Sequence, residues 1–280
     1  MIAKQSNYKS ESVWQKWAPK CANPKCSAKS LLQTIHRRHD GLIVDGHRYC
    51  SSGCFEQAVK RMIKEVINSE GKPAKARNSR VPLGLLLLQR GILTAEQLKI
   101  ALAQHKSTGL NFGDVLQRLG FATEQQVTAA VAAQWACPVF AVGDRQLENQ
   151  LHIPRQCLEL YRMLPVHYSE HRLLVGFVSS VQYQILSTIG HITSCTVVPC
   201  FITGRDYESQ LKSPSTSFVR DQEVVFEEVM DPTAMARVVT EHVTKLEAKQ
   251  LRMGQCRDYF WVRIWRNNEE TDLLFRMQHD

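Results

Sequence analysis

The apolar positions change period several times along the chain. Two extended stretches, Leu31 to His36 and Leu42 to Tyr49, are separated by Asp40-Gly41, and Asp45-Gly46 supplies a second turn signal. After Ser51-Ser52-Gly53 the period becomes helical, with Val59, Met62, Ile63, Val66 and Ile67 on one side. Residues 69–80 have no apolar period and are rich in small and basic residues, which reads as a linker. In residues 221–280 a strand, Glu223 to Phe226, precedes Asp231-Pro232 as N-cap and first helical residue. Met235, Val238, Val239, His242 and Leu246 then share a helical face, and strands Tyr259 to Trp265 and Asp272 to Met277 flank the turn Asn267-Asn268. Trp261 and Trp265 alternate onto one face of their strand, at a core or an interface.

Between these regions the chain repeats itself. Shifted by 29 residues, PLGLLLLQRGILTAEQLKIALAQH (Pro82 to His105) matches NFGDVLQRLGFATEQQVTAAVAAQ (Asn111 to Gln134). Gly84 falls on Gly113, Leu87 on Leu116, Gly91 on Gly120, Thr94 on Thr123, Gln97 on Gln126 and Ala101 on Ala130. Each copy predicts a short helix ended by glycine, then Thr94 or Thr123 as N-cap of a second helix, with Gln97 or Gln126 completing a capping box. The hairpins are expected to pack through Leu86, Leu87, Leu98, Ala101, Leu102 and their counterparts.

Charge and cysteine placement add the first chemistry. The net charge of +8 on 280 residues is uneven: residues 1–80 carry 16 Lys and Arg against 6 Asp and Glu, so only the front is basic. A basic block meets nucleic acid, acidic lipid or an acidic partner. Four of the nine cysteines fall as Cys21-x4-Cys26, 23 residues, then Cys50-x3-Cys54. Two close pairs at this separation form a tetrahedral thiolate pattern for zinc. Knuckle, hairpin and a helix opening on the last two ligands describe a treble-clef-like module at 21–68. His36, His39 and His47 lie nearby as alternative ligands. A module this small closes no core unaided, so structural Zn2+ is the expected cofactor. Cys137, Cys157, Cys195, Cys200 and Cys256 are scattered singly in apolar surroundings and read as small core residues.

The two repeats, together with the segment after them, resemble the N-terminal region of type II secretion and type IV pilus assembly ATPases, GspE and its relatives, including the MshEN variant that binds cyclic di-GMP. Past Pro138 the likeness continues through a helix starting at Ile153-Pro154, Leu164-Pro165-Val166, Arg172 to Phe177, a helix from Val181 to Thr188 and a strand from Cys195 to Pro199, and it covers residues 82–212. It implies a helical repeat domain at 81–140 with an α/β second half at 141–212. With a polar tail (1–20), linkers at 69–80 and 213–220, and a small α/β domain at 221–280, the expected class is α+β multidomain. In nucleotide-binding members each repeat opens Arg-Leu-Gly and closes on Gln, the Arg and backbone gripping phosphate and guanine. Here the openings read Pro82-Leu83-Gly84 and Asn111-Phe112-Gly113, and the closing residues are His105 and Gln134. Both arginines are missing, and neither Pro nor Asn supplies their charge. The candidate nucleotide set is therefore Arg80, Leu83, Gly84, His105, Phe112, Gly113 and Gln134, with Arg80 standing two residues early.

In the resembled ATPases a further α/β domain and a motor come next. Residues 221–280 fit the first, but no G-x-x-x-x-G-K-[ST] occurs, and Gly71-Lys72 is followed by Pro73, so a motor is not expected in this chain. His167-Tyr168-Ser169-Glu170-His171 fits H-x-x-E-H, yet it sits between strand-like segments where its histidines do not converge. No apolar run is long enough to cross a bilayer, and no secretory leader is apparent, so a cytoplasmic setting is expected. The preferred expectation is a non-enzymatic, zinc-containing adaptor or regulator that binds a protein partner of a secretion or pilus system. One alternative is a nucleic-acid-binding zinc regulator using Lys60, Arg61, Lys64, Lys72, Lys75, Arg77 and Arg80. Another is a cyclic di-GMP sensor with a degenerate motif.

Overall fold

Thr94 and Thr123, Gly91 and Gly120, Asp45 and Asp231 each set an element boundary by a local device the sequence carries. The computed structural model describes residues 21–26, 41–70, 80–143, 145, 147, 150–212, 222–267 and 269–278. The polar tail 1–20, the strand expected at Leu31 to His36, most of the basic linker and the 213–220 linker lie outside them. In chain order come β1 (Leu42–Val44), β2 (His47–Tyr49), α1 (Ser52–Glu70), α2 (Leu83–Gln89), α3 (Ala95–Thr108), α4 (Phe112–Arg118), α5 (Glu124–Trp135) and α6 (Arg155–Tyr161). They are followed by β3 (Met163–Ser169), β4 (Arg172–Phe177), α7 (Tyr183–Thr193), β5 (Thr196–Phe201), α8 (Gly204–Lys212), β6 (Glu223–Phe226), α9 (Pro232–Lys245), β7 (Gln250–Cys256), β8 (Tyr259–Arg266) and β9 (Glu269–Arg276). The class is α+β, and the chain divides into two units.

The first unit joins the front of the chain to its end. Asp45 and Gly46 both take left-handed φ, 52° and 73°, the pair a type I′ turn requires, so β1 and β2 form a tight hairpin at the second turn signal, within Leu42 to Tyr49. The apolar side of α1 (Phe55, Val59 and Ile63, each fully buried) does not close on this hairpin alone. It shares one core with Met235, Ala236, Val239 and Val243 of α9 and with Phe260, Val262, Ile264, Leu273 and Phe275 of the sheet β6-β9-β8-β7. A module of this length exposes too much apolar surface by itself, and α9 and the sheet remove that surface from water. The turn is fastened to the start of β7: Asp45 N donates to Lys249 O at 2.8 Å, and Leu251 N donates to Asp45 Oδ1 at 3.2 Å. Burial holds the Asp45 carboxyl above its usual range.

Of the face expected on α9, Met235 and Val239 lie in the core, Val238 and Leu246 pack against it, and His242 is half-buried with its ring edge-on to Phe226 at 6.3 Å; Ala236 and Val243 extend the buried face. β7 was not expected, because Leu251, Arg252 and Met253 alternate too briefly before Gly254. The N-cap is as expected, with Asp231 Oδ1 accepting from Ala234 N at 2.7 Å and from Thr233 N at 3.1 Å. Those backbone bonds, Ala234 first, hold its carboxyl below the usual range.

On the other face of the sheet, Arg263 and Asp272 stand directly opposite across β8 and β9 and are only 1% and 3% exposed. Arg263 Nε donates to Asp272 Oδ1 at 2.7 Å and Nη2 to Oδ2 at 2.8 Å, and Trp261 Nε1 adds a third bond to Oδ1 at 2.7 Å.

The second unit is built on the duplication. Thr94 Oγ1 accepts from Gln97 N and Gln97 Oε1 from Thr94 N, and Thr123 and Gln126 repeat both bonds. Gly91 and Gly120 end the short helices at φ 69° and 68°. The helices pair crosswise as well as within hairpins, α2 against α5 and α3 against α4. Glycine permits the approach: a Cβ at Gly84 would lie 2.5 Å from Leu98 Cδ1, and one at Gly113 2.8 Å from Val127 Cγ1. Leu87, Leu116, Ala101 and Ala130 are fully buried, but Leu102 is not the core residue expected and is 50% exposed.

The remaining half carries the sheet β3-β4-β5, antiparallel between β3 and β4 and parallel between β4 and β5. The segment after α5 runs beside β5, with Phe140 N donating to Phe201 O at 2.8 Å and Phe201 N to Pro138 O at 2.9 Å. His167 lies in β3, whereas Glu170 and His171 form a left-handed turn, so H-x-x-E-H makes a hairpin and not a metal-binding helix face. Cys157, Cys200 and Cys256 are fully buried; burial pushes the Cys200 thiol up to about 12.

Breaking a buried ion pair costs about 3–5 kcal/mol where no counter-charge remains, and here Glu270 Oε2 stays 3.6 Å from Arg263 Nη1. Asp272→Ala is therefore expected to lower the stability of the full chain by up to that amount in urea unfolding followed by tryptophan fluorescence. The paired change Arg263→Met with Asp272→Leu is expected to recover most of it.

Candidate functional site

Residues 21–26 are laid against β2 by Ala22 N donating to Arg48 O at 2.7 Å. Asn23, only 2% exposed, shapes the turn: its Oδ1 accepts from Lys25 N at 3.1 Å, its carbonyl from Cys26 N at 3.0 Å, and its Nδ2 donates to Gln57 Oε1 on α1 at 2.9 Å. The knuckle is thereby pinned to both the hairpin and the helix. Cys50 ends the hairpin and Cys54 lies in the first turn of α1, where Cys54 N donates to Ser51 Oγ at 3.3 Å.

The four sulfurs of Cys21, Cys26, Cys50 and Cys54 lie within 4.8 Å of one another. Cys26 and Cys50, and Cys50 and Cys54, are 3.5 Å apart, and Cys50 N donates to Cys21 Sγ at 3.5 Å. These separations exceed a disulfide bond, about 2.05 Å, and none of the four is in a disulfide. A tetrahedral ion with metal–sulfur bonds of about 2.3 Å sets sulfur–sulfur edges near 3.8 Å, so the donor set fits zinc. Burial pushes the Cys54 thiol up. A bound cation reverses that preference and holds the sulfurs as thiolates. Four protein ligands leave no open position, so the arrangement suits structure and not catalysis. His47 is exposed on β2 and outside the sulfur cluster, and His36 and His39 lie outside the described residues.

The nucleotide candidates are placed differently. The Arg80 guanidinium stacks over the Trp135 ring, 3.3 Å from its centroid. His105 Nδ1 is 2.5 Å from Leu110 O, and Gln134 Nε2 donates to Val81 O at 2.6 Å. Val81 and Leu110 stand just before the two repeats, 29 residues apart like His105 and Gln134, so each closing side chain ties down the backbone at a repeat opening. Gly84 is buried beneath Leu98. Leu83, Phe112, Gly113 and Gln134 line a cavity of about 660 Å³. Its wall also carries Arg162, Arg205 and Lys212, which lie far along the chain and had no local signal. Three carboxylates, Asp114, Glu124 and Glu208, balance them. Lys212 pairs with Glu208 at 3.5 Å, Arg205 N donates to Glu124 Oε1 at 2.9 Å, and Arg162 stacks on Tyr207.

Of the basic residues considered for nucleic acid, Lys60, Arg61 and Lys64 lie on α1, where Arg61 faces Glu65 at 4.0 Å. Lys72, Lys75 and Arg77 lie outside the described residues. Among the described residues no helix is long and apolar enough to cross a membrane.

No family model matches the chain, and no curated protein matches it. Among solved structures, one of MshE with cdg is similar at 23% identity over 47% of this chain and 97% of that one, with a TM-score of 0.41. Two structures of the N-terminal domain of XpsE are similar at 15% and 16% identity, each over 50% of this chain and over 97% and 96% of theirs, with TM-scores of 0.38 and 0.30.

Losing one hydrogen bond of this kind costs about 0.5–1.5 kcal/mol. Gln134→Ala is accordingly expected to destabilise the repeat unit by that amount in chemical denaturation, without any added ligand.

Proposed function

We propose that the chain is a non-catalytic adaptor or regulator, held together at its front by structural zinc on Cys21, Cys26, Cys50 and Cys54. It binds a protein partner of a secretion or pilus assembly system through the repeat-containing unit. The observation that carries this reading is the use of His105 and Gln134. At the closing positions of the two repeats, these side chains join one repeat opening to the other closing. Arg80, the candidate stand-in for the missing arginines, is stacked on Trp135. Side chains committed to internal bonds are not available to a nucleotide, which supports the protein-binding reading over the nucleotide one. The closed four-sulfur arrangement supports the structural role of the metal.

Native mass spectrometry of the full chain is expected to find about one zinc, lost in Cys26→Ser and in Cys54→Ser. Calorimetry with cyclic di-GMP is expected to give no binding heat, and a stoichiometric signal weakened by Arg205→Ala would replace the adaptor with a second-messenger sensor. Proximity labelling by the full chain in its native cells is expected to enrich components of a secretion or pilus system. A labelled set without them, together with salt-dependent retention on DNA, would favour a nucleic-acid regulator.

A further inference from the structure

The duplication makes the second repeat an internal reference for the first. On α5, Val127, Thr128, Val131 and Ala132 are 7%, 5%, 6% and 3% exposed, and the helix packs on β5. Shifted back by 29 residues, the same face of α3 is Leu98, Lys99, Leu102 and Ala103. There Lys99 and Ala103 are exposed, Leu98 is half-buried and Leu102 is 50% exposed. The neighbouring short helices differ in chemistry. Asp114 and Gln117 of α4 correspond to Leu85 and Leu88 of α2, and Leu85 is 49% exposed. The face that α5 covers is therefore open on α3, and where α4 carries Asp114 and Gln117, α2 carries the exposed Leu85 and the half-buried Leu88, more open leucine than solubility alone would select.

The rim of this face has a sign. Lys99, Leu102 and Lys106 follow one another at i, i+3 and i+7 along α3, and Arg90 is exposed at the end of α2, against Glu96 as the acidic residue of α3. We propose that the face of α2 and α3 carrying Leu85, Leu88, Leu98 and Leu102 is the docking site for an acidic amphipathic helix of the partner protein. Leucines on that helix, one turn apart, fill the apolar strip, and its carboxylates meet Lys99 and Lys106. The inference rests on the adaptor reading above and names the partner's chemistry.

The probe is a fluorescein-labelled helical peptide with leucines at i, i+3 and i+7 and glutamates beside them, titrated with the full chain and followed by fluorescence anisotropy. Saturable binding is expected, weakened about tenfold or more by Leu85→Asp with Leu102→Asp. Lys99→Glu with Lys106→Glu is expected to weaken it likewise and to shift preference to a lysine-flanked peptide. Absence of binding by the unaltered chain, or equal binding by the leucine variant, overturns the proposal. So does a large drop in melting temperature of the leucine variant, since it would mean that the chain covers this face itself. In native cells, assembly components labelled by the unaltered chain and lost with the leucine variant support the site. Components that persist with the variant overturn the site and leave the adaptor reading standing, whereas an unaltered chain that labels none removes the reading itself.

Discussion

Four sulfurs bring three separate pieces of chain to one point: the knuckle at Cys21 and Cys26, the end of the hairpin at Cys50 and the first turn of α1 at Cys54. A structural zinc in such a set is worth about 10 kcal/mol or more, comparable to the whole stability of an ordinary domain. No hydrogen bond in the knuckle approaches that magnitude; each contributes about 1 kcal/mol. The Asn23 and Ala22 bonds therefore choose the shape of the knuckle, and the proposed metal supplies the stability. That stability reaches beyond the knuckle, because α1 begins on Cys50 and Cys54 and delivers Phe55, Val59 and Ile63 into a core made mostly by the C-terminal segment.

A second economy appears in the repeats. Duplicated hairpins are related by a 29-residue shift, yet their faces have diverged: Val131 is covered where Leu102 is open, and Asp114 stands where Leu85 does. The scaffold positions remain equivalent, in the glycines, the capping boxes and the cross-bonds from His105 and Gln134. Stability is thus carried by the shared positions, which frees the differing ones to set what each repeat faces.

What could be read from the sequence was local chemistry. Thr94 and Gln97, Asp231 and Pro232, Gly91 and Gly120 each act within a few residues, and their predicted caps and ends match the structure. The cysteine spacing was legible for the same reason: each pair lies on one turn, and zinc geometry restricts the rest. Tertiary choice was not legible. The periodicity of α1 shows an apolar face without saying that α9 covers it. Leu102 has the spacing of a core residue, but only the position of the α/β half decides that Val131 is buried and Leu102 is not. β7 was not legible because its alternation is brief before Gly254. The cations Arg162, Arg205 and Lys212 gather from distant elements, so nothing in their neighbourhoods announced the cavity they line.

The central claim is that the metal centre and the C-terminal sheet are one cooperative structure. Hydrogen exchange of the full chain, before and after removal of metal by a strong chelator, addresses it directly. Amide protection in α9 and in β8 and β9 is predicted to fall together with that of α1 when the metal is removed. A C-terminal segment that keeps its protection while α1 loses it would contradict the claim.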